Sequence, residues 1–418
     1  MLVQENLAIQ YQEIRNLSTT ICKPLEIEDY VVQPMPDVSP PKWHLGHLSW
    51  FFEHFLLSKY QKNYKVFNPE YAYFFNSYYE SIGARTIRTD RGNITRPTTA
   101  GVYAYREYVD KQMIKFLNEV DPENKEIMEI FKLGLNHEQQ HQELLLTDIK
   151  YILGNNPILP LYQTTDLKET KNVEKQRWIT VKEGIYSIGH NRNNFCFDNE
   201  KGIHKTYLHA FQIADRLVTN KEFLEFINSG GYKNFKYWLS EGWEWVKSEK
   251  ISAPLYWQLI NEDWYSYTLN GLQAINLNEP VVHVSFFEAD AFARWSNCRL
   301  ATEFEWETAC KLYSPEIPKH ANLIESGLFH PKVAEPGNFQ FYGDVWEWTN
   351  SAYLAYPYYS QAEGAIGEYN GKFMVNQMVL RGGSCATSFS HIRSSYRNFF
   401  QTDKRWQFTG IRLTKTIE

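Results

Sequence analysis

A polar break divides this chain into two stretches of different periodicity, and no single fold accommodates both. Between Gly154 and Gln176 the sequence carries Asn155-Asn156-Pro157, Pro160 and the run TTDLKETKNVEKQ, which is linker composition. Upstream, apolar residues recur at helical spacing, with few glycines and few β-branched runs. Downstream, short strand-like stretches such as WITVKEGIYSIG alternate with turns. At 418 residues the chain exceeds the roughly 250–300 at which a single core stops growing, so two domains are expected. We place the first at 1–155, a linker at 156–176 and the second at 177–418.

The first half reads as a helical bundle, with helices over Val3–Thr20, Pro41–Lys59, Thr99–Val120 and Pro122–Leu153. An irregular Tyr-, Arg- and Asn-rich stretch, Asn68–Pro97, separates the second from the third. Long irregular stretches inside compact domains are often functional. The second half reads as α+β, with helices at Asn220–Ser229 and Phe286–Ser296. Hydrophobic residues at 43% and aromatics at 16% suffice for two cores and aromatic-lined pockets.

Several function classes fall away. The net charge of -6 is spread without long runs, so the chain has no electrostatic footprint for nucleic acid. No segment approaches the ~20 apolar residues that cross a bilayer, and the N-terminus lacks a cleavage signal, so a cytoplasmic, non-membrane protein is expected. Five scattered cysteines without CxxC argue against a disulfide framework or a zinc ribbon. Any metal must find other ligands.

The segment NHEQQHQELLLTDIKYIL supplies two. His137 and His141 lie four apart at helical period, which puts both imidazoles on one face, one turn apart. The same string reads HExxH, the zinc metallopeptidase pattern in which Glu138 would be the general base. That alternative needs a downstream ligand in the same domain, and the chain instead runs into the linker. A third imidazole lies upstream in SPPKWHLGHLSWFFEHF, where Trp43, His47, Trp50 and Phe51 share a helix face that packs inward. Bundles build metal sites from such inward residues on neighbouring helices. Three neutral imidazoles suit zinc, copper or ferrous iron, and spacing alone does not choose among them.

PPKWHLGHLSWFFE followed by HEQQHQELLLTD resembles the DinB-like domain of ergothioneine-biosynthesis sulfoxide synthases, iron enzymes that couple hercynine to cysteine or γ-glutamylcysteine. Past the linker, RLATEFEWETA (299–309), GDVWEWT (343–349), LRGGSC (380–385) and TGIRL (409–413) resemble the formylglycine-generating-enzyme fold, a C-type-lectin-like α+β domain. The resemblance implies that His47, His137 and His141 bind Fe(II), that Gln140 reaches the betaine, and that His44 stands outside the ligand set. FNSYYESIGARTIRTDRG (75–92) resembles the stretch that, in the cysteine-using branch, supplies active-site tyrosines and thiol-substrate arginines. Tyr78 and Tyr79 would be the tyrosines, either one a proton donor, with Arg88 and Arg91 gripping the carboxylate.

In YRNFFQTDKRWQFTG (396–410), Phe399, Phe400 and Trp406 are candidates to receive a quaternary ammonium by cation–π contact, with Asn398 and Gln407 as polar partners. Formylglycine generation itself is not expected, because that activity uses two nearby cysteines and Cys385 stands without a second. With the sequence ending soon after TGIRL, the methyltransferase domain appended in the ovothiol branch is not expected, which favours the ergothioneine-type product. The implied partners are hercynine, cysteine and O2, and the oligomeric state stays open. Two alternatives remain: a sibling enzyme using γ-glutamylcysteine or a selenosugar, and a binding protein without catalysis.

Overall fold

The computed structural model describes residues 2–77, 79–165, 173–361, 367 and 370–417. They form two compact units, Met1–Gln163 and Thr164–Glu418. The first unit is built from four long helices: α1 (Leu2–Cys22), α2 (Pro41–Phe52), α3 (Thr99–Glu119) and α4 (Lys125–Gly154). Thr98 caps α3 by accepting the Gly101 N–H, and Asn124 caps α4 by accepting that of Ile127. The Asn124 cap explains why α4 starts at Lys125 rather than at Pro122. Helices α1 and α2 each pack against both α3 and α4, burying Tyr11, Leu45, Phe51, Phe52, Phe131 and Leu145.

Two glycines inside helices make that packing close enough. A Cβ on Gly46 of α2 would run into the Phe75 ring, and one on Gly134 of α4 would meet Phe51 and Phe52. Each costs about 1 kcal/mol of helix propensity relative to alanine. In exchange, an aromatic ring lies directly on the backbone.

The second helix ends differently from the expected run to Lys59. At Glu53–Leu57 it widens into a π-turn, followed by a single α-turn at Ser58–Tyr60. Glu53 is buried there and accepts hydrogen bonds from Tyr64 Oη (2.6 Å), the Phe67 N–H (2.9 Å) and Tyr105 Oη (2.6 Å). These three donors come from segments remote in sequence, which local period does not register.

The second unit is α+β. Eight strands make up its two main sheets: β1 (Trp178–Val181), β2 (Phe211–Ala214), β3 (Arg299–Leu300), β4 (Trp346–Ala352), β5 (Met378–Arg381), β6 (Asn398–Phe400), β7 (Thr409–Gly410) and β8 (Leu413–Thr416). One sheet is antiparallel with the order β1-β2-β8-β3. The other has the order β6-β5-β4-β7, with β7 parallel to β4. A two-stranded ribbon and a three-stranded meander complete it. Helices occur at Asn220–Asn228 and Phe286–Trp295, as expected, and also at Ser240–Ser248 and Glu303–Tyr313. The last was missed from sequence, although its signal is local: Thr302 and Glu305 form a capping box.

The four segments that resemble the formylglycine-generating enzymes meet in one buried charge network. Arg412 of TGIRL and Trp306 Nε1 of RLATEFEWETA both donate to Glu347 of GDVWEWT at 2.6 Å. Arg381 of LRGGSC donates to Glu303 (3.0 Å) and Glu307 (2.9 Å), and Arg397 grips Glu303 with two bonds (2.8 and 2.9 Å). Buried pairs of this kind fix how segments meet more than they add stability, but removing one partner strands the other.

Candidate metal centre

Helices α2 and α4 bring His47, His137 and His141 together in the core of the first unit. One ring nitrogen of each lies within 4.8 Å of the others, and all three residues are buried. His47 Nε2 is 3.2 Å from His137 Nε2. Ligand atoms bonded to one metal at about 2.1 Å stand roughly 3.0–3.4 Å apart, so the spacing suits a single ion. His47 Nδ1 donates to the Phe75 carbonyl at 2.6 Å, which fixes the tautomer and leaves the Nε2 lone pair facing His137.

Electrostatics keeps the donors neutral. Burial pushes His137 down to about 3, and burial followed by the His137 charge pushes His47 and His141 well below the usual histidine range. Neutral imidazole is the ligating form, so the donor set fits a divalent first-row metal. These shifts also set a pH dependence. Each imidazole has a folded value below its unfolded one near 6.5, so below that pH the unfolded chain binds more protons and stability falls with pH. The thermal midpoint of the metal-free protein is therefore expected to fall from about pH 6.5 downward. His137→Phe is expected to flatten that slope, and a midpoint independent of pH between 7 and 4 would count against buried neutral histidines.

Aromatic rings hold His47 from both sides. Trp43 stacks on it at 4.7 Å between centroids and 9° between planes, and Trp50 stacks on the other side at 5.7 Å and 23°. The Arg91 guanidinium lies 3.3 Å from the Trp43 centroid, on the indole. Arg91 is buried and donates to Ser39 Oγ (2.8 Å) and Ser77 Oγ (3.1 Å). Its charge contributes to the low values of His47 and His141.

Of the remaining sequence candidates, Tyr79 is buried, its ring 5.8 Å from Trp50 and 5.3 Å from Phe55. Arg88 is exposed and donates to the Asp37 carbonyl at 2.5 Å. Gln140 is half-buried on α4, and Tyr78 lies outside the described residues. In the second unit, Phe399 stacks on Tyr353 at 4.0 Å and 11°, and Phe400 meets Trp406 edge to face at 5.5 Å. The Asn398 side chain accepts the Phe399 N–H. Gln407 is buried, and its Nε2 has no hydrogen-bond partner among the described residues.

Glu138 rules out the peptidase arrangement. It points away from the histidines, is fully buried, and accepts bonds from Arg15 Nη1 (2.9 Å), Arg106 Nη2 (2.6 Å) and Ser18 Oγ (2.7 Å). Burial alone would raise its carboxyl, but the two guanidiniums hold it down at about 2. A carboxylate held by two guanidiniums and kept ionised down to about 2 is too weak a base, and too fully engaged on the side of α1 and α3, to take a proton from a metal-bound water.

The sequence reading left His44 as an orienting or structural residue behind the ligands and missed Asp148. The signal for Asp148 was its position seven residues, two turns, after His141 on one helix face.

A helical bundle with three histidines placed to hold a metal, followed by an α+β unit, defines a two-unit protein with a candidate metal centre in its first unit. Residues 10–145 match the DinB superfamily and residues 163–417 the sulfatase-modifying factor enzyme 1-like domain. Hercynine oxygenase of Mycolicibacterium smegmatis is 28% identical over 99% of both chains. That of Mycolicibacterium thermoresistibile is 30% identical over 69% of each. Ergothioneine biosynthesis protein 1 of Schizosaccharomyces pombe is 27% identical over 53% of this chain and 28% of its own. The chain belongs to the hercynine oxygenase family of ergothioneine sulfoxide synthases, which are oxygen-using enzymes.

Proposed function

We propose that this protein is a non-haem Fe(II) enzyme that uses O2 to join hercynine to L-cysteine, forming hercynylcysteine sulfoxide. The observation that carries the reading is the buried set of three neutral imidazoles, with Arg91 on Trp43 and Tyr79 against Trp50, the two indoles that stack on His47. Ferrous iron held by His47, His137 and His141 would supply the redox chemistry and the open positions that three ligands leave.

The chain supplies orientation. Arg91 is assigned to the cysteine carboxylate, with Arg88 as the outer cation, because a guanidinium fork matches a carboxylate. Tyr79, or its neighbour Tyr78, is assigned to proton delivery, and Gln140 to the betaine. Phe399, Phe400 and Trp406, with Asn398 and Gln407, are assigned to the trimethylammonium end of hercynine. Burial of the centre among Trp43, Trp50 and Phe51 limits access of water, which strengthens each of these contacts. A reducing, cytoplasmic setting fits the five cysteines, none of which forms a disulfide. Among the described residues, no helix is long and apolar enough to cross a membrane.

The test uses nitric oxide in place of oxygen. Paramagnetic resonance of the Fe(II)-nitrosyl protein should change on adding hercynine and again on adding cysteine. A second change with γ-glutamylcysteine but not cysteine would reassign the thiol. A spectrum insensitive to both hercynine and thiol would remove the proposed reaction.

A further inference from the structure

Behind His141 stands a buried pair whose hydrogen bonds run in one direction. Asp148 Oδ2 accepts the Ser39 N–H at 2.8 Å, so that oxygen acts as an acceptor. His44 Nε2 lies 3.0 Å from the same oxygen and must donate to it. A neutral imidazole with its proton on Nε2 has only a lone pair on Nδ1. His44 Nδ1 lies 2.9 Å from His141 Nδ1, so His141 must carry its proton on Nδ1 and donate. That leaves the His141 Nε2 lone pair for the cluster formed with His47 and His137. All three members are buried, His44 and Asp148 at 2% exposure each and His141 at 8%, so water does not compete for these bonds.

The sequence arranges this economically. His44 and His47 lie three apart on α2, while His141 and Asp148 lie seven apart on α4, so each helix gives one residue to the metal cluster and one to the line behind it. His47 obtains the same result from a single backbone carbonyl, that of Phe75. His141 has the Asp148 side chain at the end of its line, where His47 has only a backbone carbonyl.

We infer that His44 and Asp148 are positioning residues that lock His141 in its Nδ1–H form and thereby set how tightly the centre holds its metal. The inference rests on the proposed metal centre. Groups that orient a ligating histidine are typically worth about 10- to 100-fold in metal affinity.

The test compares two variants by anaerobic competition of Co(II) between protein and a chelator. His44→Phe keeps the bulk of the ring and removes both bonds, and is expected to weaken Co(II) binding by about 10- to 100-fold. His44→Gln can donate to Asp148 through Nε2 and accept from His141 through Oε1, and should stay within about threefold of native, a difference smaller than 1 kcal/mol. Native affinity in His44→Phe, which would mean that His44 only fills space, or equal weakening in both variants, which would mean that the donor–acceptor line is not what matters, overturns the inference. His137→Ala is the control for the underlying reading: if the native protein binds Co(II) no better than that variant, the metal centre itself falls. Should His44→Phe fail to fold, long-range proton–nitrogen correlation spectra of the native metal-free protein decide, since His141 carrying its proton on Nε2 would contradict the arrangement.

Discussion

His137→Ala is expected to take bound iron from stoichiometric to near none and product formation to the level of metal-free protein. His137 offers Nε2 at 3.2 Å from that of His47, so its loss leaves two imidazoles, too few to hold a divalent ion against solvent and chelators. The cavity left by the ring also faces Phe51, whose centroid is 4.7 Å away, so some loss of stability accompanies the loss of metal. Metal analysis after gel filtration, with turnover measured on the same sample, separates the two effects. Iron retained at full occupancy with turnover abolished would make His137 something other than a ligand.

The second large effect concerns the neighbouring residue. Glu138→Gln is expected to destabilise the first unit by about 3–5 kcal/mol, because it leaves Arg15 and Arg106 buried with their shared carboxylate removed. Denaturant unfolding of the metal-free protein reads this directly. The acid limb should move as well: the native carboxyl, held at about 2 against an ordinary carboxylate value, contributes stability that is present above about pH 4.5 and is lost as pH falls toward 2. A peptidase base would behave in the opposite way, with activity lost and stability intact. A change below about 1 kcal/mol would mean that the Arg15–Glu138–Arg106 cluster is not what holds α1, α3 and α4 together.

The cluster of three histidines was legible in the sequence for a simple reason. Spacing of four on one helix and an inward position on another are local properties, and local periodicity reports them. Trp43 and Trp50 were legible on the same ground, since they share the His47 face. The line through His44 to Asp148 was not, because it depends on how α2 and α4 are rotated against each other, to which the close contact of Gly134 with Phe51 and Phe52 contributes.

The irregular stretch shows the same limit. Arg88 and Arg91 lie three apart in one 3-10 turn, yet one is exposed and the other is buried against Trp43. Which arginine turned inward was decided by Ser39 and Ser77, residues outside the turn. In the second unit the helix Glu303–Tyr313 was missed although its capping box is a local signal, whereas the partners of Glu303, Glu347, Arg381 and Arg412 come from segments tens of residues apart and leave no local signal. HExxH misleads for a related reason: the pattern fixes where Glu138 points relative to His137, but not that two arginines wait on that side.

The central claim is that the three histidines hold an iron that couples hercynine to a thiol. Its most direct test is anaerobic loading with Fe(II), then addition of hercynine, cysteine and oxygen, with the products read by mass spectrometry. The account predicts a conjugate carrying the mass of both substrates plus one oxygen less two hydrogens. It should be absent without iron or with His137→Ala. No conjugate from stoichiometrically iron-loaded protein, with either cysteine or γ-glutamylcysteine, would contradict it.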